Sequence, residues 1–176
     1  MPRYYRRRYT RVVRPKKKWA SNITVWNAQS LTGSYAALLV SNSAQASSPT
    51  PTILKVGNFK ISADVVFKTS GSNADYNFSC MAYILYVPEG WESSASAFNN
   101  LISKHPEWIM ATKTLGVTST TSSQNYTETL NLSTRLKRNL NSGDQVVFYL
   151  QFSSPGSITV SSASITGNCR YWTCAN

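Results

Sequence analysis

Side chains suited to acid-base catalysis and metal binding are scarce in this sequence. It has one histidine and seven Asp or Glu residues among 176, whereas general acid-base chemistry usually relies on histidine or on paired carboxylates. His105 could be a base oriented by Glu107, but a packing or capping residue at a helix end is the favoured interpretation. Glu89 and Glu92 are interpreted as salt-bridge partners in a loop rather than as metal ligands. We therefore expect no enzyme, with no catalytic residue, no cofactor and no metal site.

Cysteines and long apolar segments are also scarce. Cys80, Cys169 and Cys174 are too few and too irregularly spaced for a disulfide scaffold or a four-ligand zinc site. We expect reduced thiols, with a Cys169–Cys174 bridge as the minor alternative. The basic N-terminus lacks the apolar segment of a secretory signal, and the longest nearly apolar run, residues 80–87, is less than half of a membrane span. The sequence predicts a chain made in the cytosol, without membrane insertion.

Positive charge, by contrast, is abundant and unevenly distributed. Nine of the 18 Lys and Arg residues lie within residues 1–18, which contain no acidic residue, so this segment carries +9. The rest of the chain has nine basic and seven acidic side chains, or +2. A strongly basic segment beside a nearly neutral body indicates a polyanionic partner.

Three interpretations of the basic segment stay open: a solvated charge run, a nuclear import signal built from the clusters at 6–8 and 16–18, and a nucleic-acid-binding arm. Nucleic-acid binding is favoured because aromatic residues alternate with cations. Guanidinium groups bind phosphate oxygens, and aromatic rings stack on unpaired bases, so single strands are preferred. Nuclear import can reside in the same arm. The candidate nucleic-acid-binding residues are Arg3, Tyr4, Tyr5, Arg6, Arg7, Arg8, Tyr9, Arg11, Arg14, Lys16, Lys17, Lys18 and Trp19.

The body has the period-two pattern of half-buried β-strands. Apolar and polar residues alternate over 59–68, interrupted only by Val66, and again over 146–152 and 126–132. Residues 78–87 are apolar at nearly every position, which predicts a central strand buried on both faces and ended by Pro88. Further strands are predicted at 23–28, 35–40, 108–115 and 158–165, the last with a bulge between Val160 and Ala163.

One segment has helical periodicity. Phe98, Leu101 and Ile102 follow a cluster of capping serines, and Pro106 ends the helix. Loops are predicted at 42–52, 70–77 and 116–124. The pattern predicts an all-β fold, an eight-stranded antiparallel jelly-roll sandwich with one short connecting helix and a basic N-terminal arm, with other sandwiches as the alternative. Residues 1–19 form the predicted arm, and residues 20–176 a single jelly-roll domain.

The body also has the composition of a protein that assembles. Charged residues make up 14% of the chain, below the usual quarter, so docking requires little desolvation of charge. Four tryptophans could anchor interfaces or fill the core. Core is favoured for Trp108 inside a predicted strand, whereas Trp91 and Trp172 fit either role.

The residues resemble the capsid proteins of small circular Rep-encoding single-stranded DNA viruses, the circovirus-like group. The opening MPRYYRRRYTRVVRPKKK is similar to their arginine-rich N-terminus, and KVGNFKIS, YILYVPEG and HPEWIMA are similar to segments of their bodies, in the same order over residues 1 to about 115. The chain is shorter than a typical circovirus capsid protein, which puts the long surface loops of that group in doubt.

The resemblance implies a single jelly roll of which sixty copies form an icosahedral T=1 shell around a single-stranded DNA genome. Sixty arms of nine charges could neutralise about 540 phosphates. It also implies location in the virion and, during assembly, in the host nucleus, with host nuclear import factors and a cell-surface receptor as partners. The alternatives are a capsid protein of a small RNA or satellite virus and, from another class, a cellular single-stranded nucleic-acid-binding or carbohydrate-binding β-sandwich protein.

Overall fold

The computed structural model describes residues 19–31, 33–43, 53–69, 76–92, 94–119, 125–153 and 160–175. Nearly all of these residues lie in β-strands, one α-helix and one 3-10 turn. The elements in chain order are β1 (Ala20–Leu31), β2 (Ser34–Ser41), β3 (Leu54–Thr69), β4 (Tyr76–Val87), α1 (Ala95–Lys104), the 3-10 turn (Pro106–Trp108), β5 (Ile109–Ser119), β6 (Asn125–Leu140), β7 (Gln145–Ser153) and β8 (Val160–Ala175).

The eight strands form two four-stranded sheets. Sheet I has the order β1-β8-β3-β6 and sheet II the order β2-β7-β4-β5, and every neighbouring pair is antiparallel. Successive strands lie in different sheets except β4 and β5, which are neighbours in sheet II, and this order of two Greek keys is the jelly roll. The predicted fold class, an eight-stranded antiparallel sandwich with one helix, is confirmed.

The main core lies between the two sheets, and strand alternation produces it. In β3 the apolar set predicted from the sequence points inward, and all its members are buried: Phe59, Ile61, Ala63, Val65 and Phe67. They meet inward residues of sheet II such as Phe148, on whose ring Trp26 stacks at 5.4 Å between centroids. Val66 points away from this core, which explains why it breaks the pattern.

Strand β4 is buried on both faces, as its sequence predicts. Cys80, Ala82 and Ile84 face the core between the sheets, while Tyr83 and Leu85 face the opposite way. That second set, with residues of β7, packs against α1. We call this outward surface of sheet II, under the helix, the covered face.

Helix α1 has the boundaries that its sequence predicts. Ser94 is the N-cap, and its Oγ accepts a hydrogen bond of 3.2 Å from the Ala97 N–H. Phe98 and Leu101 are buried on the covered face, where the Tyr149 hydroxyl also donates to Asn99 Oδ1 at 3.0 Å. Among the described residues no helix is long and apolar enough to cross a membrane.

Some predicted boundaries are wrong. Trp108 lies in the 3-10 turn, and β5 begins at Ile109. Pro106 is the reason, because its fixed φ suits the first position of such a turn, which the Trp108 N–H closes on the His105 carbonyl at 3.0 Å. Strands also extend into the predicted loops, since β4 begins at Tyr76 and β5 continues to Ser119.

Strand β8 is much longer than predicted and contains the predicted bulge. It extends to Ala175 because Ile165, Cys169 and Tyr171 continue the inward alternation that Gly167 interrupts in the sequence. Its pairing with β3 changes register where Lys68 is opposite Ser162 and Thr69 is opposite Val160, which leaves one residue of β8 unpaired.

Candidate nucleic-acid interface

Of the predicted nucleic-acid-binding residues, the structure describes Trp19. Residues 1–18, and with them Arg3 through Lys18, lie outside the described part of the chain, so their role stays a prediction. Trp19 directly precedes β1 and is 38% exposed.

The Trp19 ring contacts a lysine of β6, which is the edge strand of sheet I opposite β1. The Lys137 Nζ lies 5.3 Å from the centroid of the Trp19 ring, within the range of a cation–π interaction. Lys137 belongs to β6 and pairs with Gly57 of β3. A Cβ on Gly57 would lie 2.8 Å from Lys137 Cγ, so the glycine leaves room for the lysine stem to cross β3. Trp19, the last residue of the predicted arm, therefore lies on the outward surface of sheet I.

We call this outward surface of sheet I the open face, because among the described residues no helix or strand packs on it. Its residues form rows across the four strands. In one row Ile23, Arg170, Lys60 and Ser133 are neighbours, and in the next Val25, Asn168, Ser62 and Asn131 are neighbours. A third row, Asn27, Thr166, Asp64 and Thr129, contains hydrogen bonds from Thr166 to Asn27 at 3.3 Å and from Thr129 to Asp64 at 2.8 Å.

Positive charge concentrates on the strands of sheet I. They carry seven Lys or Arg residues and two acids, a formal +5: Lys55, Lys60, Lys68, Arg135, Lys137, Arg138 and Arg170 against Asp64 and Glu128. The remainder of residues 19–176 carries two basic and five acidic residues, a formal −3: Lys104 and Lys113 against Asp75, Glu89, Glu92, Glu107 and Asp144. The small net charge of the body thus conceals a strong asymmetry between the strands of sheet I and the rest of residues 19–176.

Two shallow depressions on the open face meet at Lys60 and Ser133. One, of about 560 Å³, is lined on its other sides by Arg170, Asn168 and Asn131. The second, of about 450 Å³, extends to Arg135 and to Trp172, whose side chain is 42% exposed. Cations and an exposed indole therefore share one polar surface.

The other candidate tryptophans have structural roles. Trp26 is buried in the main core. Trp91 is half-buried beside α1, where its indole N–H donates to the Ala97 carbonyl at 3.1 Å. Trp108 is half-buried and packs against the covered face, so its predicted core contact holds although its predicted strand does not.

His105 combines both interpretations of the sequence. Its backbone N–H caps α1 by donating to Leu101 O at 2.8 Å, and its ring stacks on Trp108 at 4.0 Å between centroids. Its Nδ1 also lies 3.1 Å from Glu107 Oε1. The pKa of Glu107 is lowered by a hydrogen bond from its own backbone and by the one to His105. The ring packing identifies His105 chiefly as a packing and capping residue.

The acidic loop residues serve the turns at the end of sheet II. Glu89 and Glu92 form no ion pair within the described part of the chain, so their predicted salt bridges are absent there. The Glu89 N–H instead donates to Asp144 Oδ1 at 3.1 Å, and the Tyr86 hydroxyl donates to Asp144 Oδ2 at 2.8 Å. Burial and this hydrogen bond raise the pKa of Tyr86 to about 12. The described residues contain no cluster of three or more side chains suited to a metal ion.

The alternative of a Cys169–Cys174 disulfide is wrong within one chain. Both residues lie in β8, five positions apart, which corresponds to about 16 Å in an extended strand. A disulfide requires Cα atoms within about 7 Å of each other. Burial also raises the pKa of the Cys169 thiol to about 12, which disfavours the thiolate.

The sequence pattern does not predict the cationic residues of the open face. Lys60, Arg135 and Arg170 are scattered over about 110 residues, and only the strand order brings them together. The alternating pattern does predict that Lys60 points outward, because its neighbours Phe59 and Ile61 are buried. Trp172 lies two positions after Arg170 in β8, so both side chains are on the outward side of sheet I.

Comparisons with known proteins add distant structural neighbours. No family model matches the chain, and no curated protein matches it. A chain of the semi-empty virus-like particle of the giant freshwater prawn Macrobrachium rosenbergii nodavirus matches with 11% identity and a TM-score of 0.33, covering 99% of this chain and 91% of that one. A chain of infectious bursal disease virus, Gx strain, matches with 12% identity and a TM-score of 0.32, covering 88% of this chain and 32% of that one. At these scores the assignment of the fold rests on the strand order described above.

Proposed function

We propose that this protein is a structural, non-enzymatic capsid protein that self-assembles into a small icosahedral shell and packages single-stranded DNA. The observation that carries the proposal is the strand order of a complete jelly roll, an architecture of viral capsid domains, directly preceded by a segment of charge +9. Lectin domains share this architecture, but a carbohydrate-binding role would leave the basic segment without a purpose.

The arm, residues 1–19, is the proposed packaging element. Its guanidinium and ammonium groups bind phosphates, and its tyrosines stack on unpaired bases, which favours single strands over duplex. Its basic clusters at 6–8 and 16–18 also serve as the nuclear localisation signal, so the protein reaches the host nucleus before it is incorporated into the virion.

Exposed apolar side chains on the edge strands supply contacts for assembly. Ile23 and Val25 of β1 and Leu38 of β2 are each more than half exposed, and both strands lie at sheet edges. Exposed apolar residues at an edge strand suit contact with a second chain. In the proposed T=1 shell, sixty copies bury such surfaces while the arms face the genome.

Electron microscopy of the purified full-length protein, with nuclease digestion of the nucleic acid that copurifies, tests the proposal. We expect uniform small shells whose contents resist added nuclease and, after the shells are opened, are degraded by DNase but not by RNase. RNase-sensitive contents would indicate the capsid of an RNA or satellite virus. Monomers under all conditions that bind oligonucleotides would identify a cellular nucleic-acid-binding β-sandwich, a second candidate that the exposed Trp172 on a basic sheet favours.

A charge variant of the arm separates packaging from assembly. Replacing Arg6, Arg7 and Arg8 by Gln lowers the arm charge by three and should reduce the nucleic acid per shell. The matched control, Lys104→Gln with Lys113→Gln and Arg138→Gln, removes three charges from the body. An equal loss of packaged nucleic acid in both variants would contradict a specific role of the arm.

A further inference from the structure

We propose that the open face is itself a binding site for single-stranded DNA, with phosphates on Lys60, Arg135 and Arg170 and a base stacked on Trp172. The inference rests on the proposed function for the source of the DNA, and it adds a second contact surface, on the folded body, to the one in the arm.

The first argument is the placement of like charges. Lys60 and Arg170 are direct cross-strand partners on the outward side of sheet I, and both are exposed. Like charges directly opposite each other destabilise a sheet, and neither has an acidic side chain within salt-bridge distance in the described part of the chain. An external anion would relieve this repulsion.

The second argument is the composition of the neighbouring positions. Beyond the apolar Ile23 and Val25 at the β1 edge, the adjacent row consists of Asn168, Ser62 and Asn131, and Ser133 lies next to Lys60 in its own row. These are uncharged donors and acceptors that can bind phosphate, sugar and base edges. The nearest acid on this surface, Asp64, lies one row further and accepts a hydrogen bond from Thr129 at 2.8 Å.

The third argument is the aromatic platform. Trp172 is outward-facing two positions from Arg170, and its cross-strand partner on β3 is Gly57, over which the Lys137 side chain passes. Its indole borders the same depression as Lys60 and Arg135. Stacking on an exposed aromatic ring beside cations is a recurrent mode of single-strand binding, because an unpaired base offers a free face and a paired base does not.

Photocrosslinking locates the DNA directly. The full-length protein is irradiated with an oligothymidylate that carries 5-iodouracil, digested with trypsin and analysed by mass spectrometry. We expect crosslinks in the peptide that follows Arg170 and contains Trp172, in addition to crosslinks in the arm. Trp172→Leu should abolish the body crosslink and preserve those of the arm. Crosslinks confined to the arm would overturn the inference. An oligouridylate in parallel tests RNA, and stronger crosslinking of RNA at Trp172 would also overturn it.

Salt dependence gives an independent measure in the same full-length chain. Each phosphate contact to a single strand contributes about 0.7 to the slope of log K against log salt concentration. We expect Lys60→Gln with Arg170→Gln to lower the slope by about 1.4, whereas the control, Lys104→Gln with Lys113→Gln, removes two charges from outside sheet I and should leave it unchanged. Equal slopes for the two variants would overturn the inference.

The two proposals fail in different ways. Shells with nuclease-protected DNA but no crosslink at Trp172 would retain the capsid function and remove the open-face site. A crosslink at Trp172 in a protein that forms no shells would retain the site and remove the capsid function.

Discussion

The two outward surfaces of the sandwich differ although the same strand alternation produces both. On sheet II the outward residues of β4 and β7, such as Tyr83, Leu85 and Tyr149, are apolar, and α1 packs on them. On sheet I most outward residues of β3 and β8 are polar or charged, such as the exposed Lys60 and Arg170, with Val66 and Trp172 as the exceptions. One face of the molecule thus contributes to stability, and the other is available for binding.

The covered face shows that a short helix is enough to bury the outward apolar residues of sheet II. Helix α1 has ten residues, too few to be stable alone in water. Two of its side chains, Phe98 and Leu101, are inserted among the aromatic and aliphatic residues of sheet II. Its stability therefore comes from packing, and a change there should cost far more than a change on the open face.

The largest expected effect compares a truncation on each face. Leu101→Ala removes a side chain with no exposed surface and should lower the free energy of unfolding by about 2–5 kcal/mol. Val25→Ala truncates a side chain that is 70% exposed and should cost less than about 0.5 kcal/mol in the unassembled chain. Denaturant unfolding monitored by circular dichroism measures both. Similar losses would show that the two faces are not distinct.

The next effect concerns the start of the helix that makes one face covered. Ser94→Ala removes the N-cap acceptor and should cost about 1 kcal/mol. Ser103→Ala is the matched control, because Ser103 donates to the Asn99 carbonyl one turn earlier and alanine is the better helix former. The control should be neutral or stabilising in the same unfolding experiment. A larger loss for Ser103→Ala than for Ser94→Ala would contradict the assignment of the cap.

The fold could be predicted from the sequence where a single physical signal dominates. Alternation identifies β3 and β7, and the continuous apolar run identifies β4 as buried on both sides. The prediction fails for the second half of β8, because Gly167 occupies an inward position where a Cβ would lie 2.4 Å from that of Ala63. The close approach of the two strands requires glycine there. Because glycine has no apolar side chain, the alternating pattern is interrupted in the sequence.

The candidate site is less predictable, because it depends on which strands are neighbours. The charge of the arm, +9, follows directly from the composition of residues 1–18. From the sequence alone, the net charge of +2 for the rest of the chain argues against a basic sheet. The strand order changes this conclusion, because the strands of sheet I carry +5 and the remaining residues carry −3. A summed charge carries no information on position, so Lys60 and Arg170 become a pair only in the folded chain.

A smaller effect tests whether Trp19, the last residue of the arm, contacts Lys137 on the open face. A double-mutant cycle of Lys137→Met and Trp19→Leu should give a coupling free energy of about 0.5–1 kcal/mol, the usual size of an exposed cation–π contact. Thermal or denaturant unfolding of the four proteins provides the measurement. Additive effects would mean that Trp19 does not rest on Lys137 in solution.

The smallest expected effect concerns Glu128, the less exposed of the two acidic residues of sheet I. Asp64 lies on the open face, whereas the Glu128 Oε2 is buried without a hydrogen-bond partner in the described part of the chain. Burial raises the pKa of Glu128, and the positive charge of Lys113 partly opposes this. Because the folded-state pKa lies above the unfolded one, the ionised carboxylate lowers stability at neutral pH, and this penalty declines as the pH falls from the folded-state pKa to the unfolded-state pKa.

Glu128→Gln should therefore unfold at a slightly higher temperature than the natural protein at pH 7. The difference should shrink as the pH is lowered through the raised pKa of Glu128, where the natural carboxyl becomes neutral as well. Differential scanning calorimetry at several pH values measures it. A difference that grows toward low pH would refute the assigned direction of the pKa.

The position of Trp19 has a consequence for avidity. Because its ring lies on Lys137 and β1 begins one residue later, the arm is joined to the open face with almost no linker between them. A strand captured by the arm would meet Lys60 and Arg170 as an intramolecular ligand, at an effective concentration in the millimolar range for a short tether. Even a weak site on the sheet would then be occupied whenever the arm is bound, and the first contact would set the register of the second.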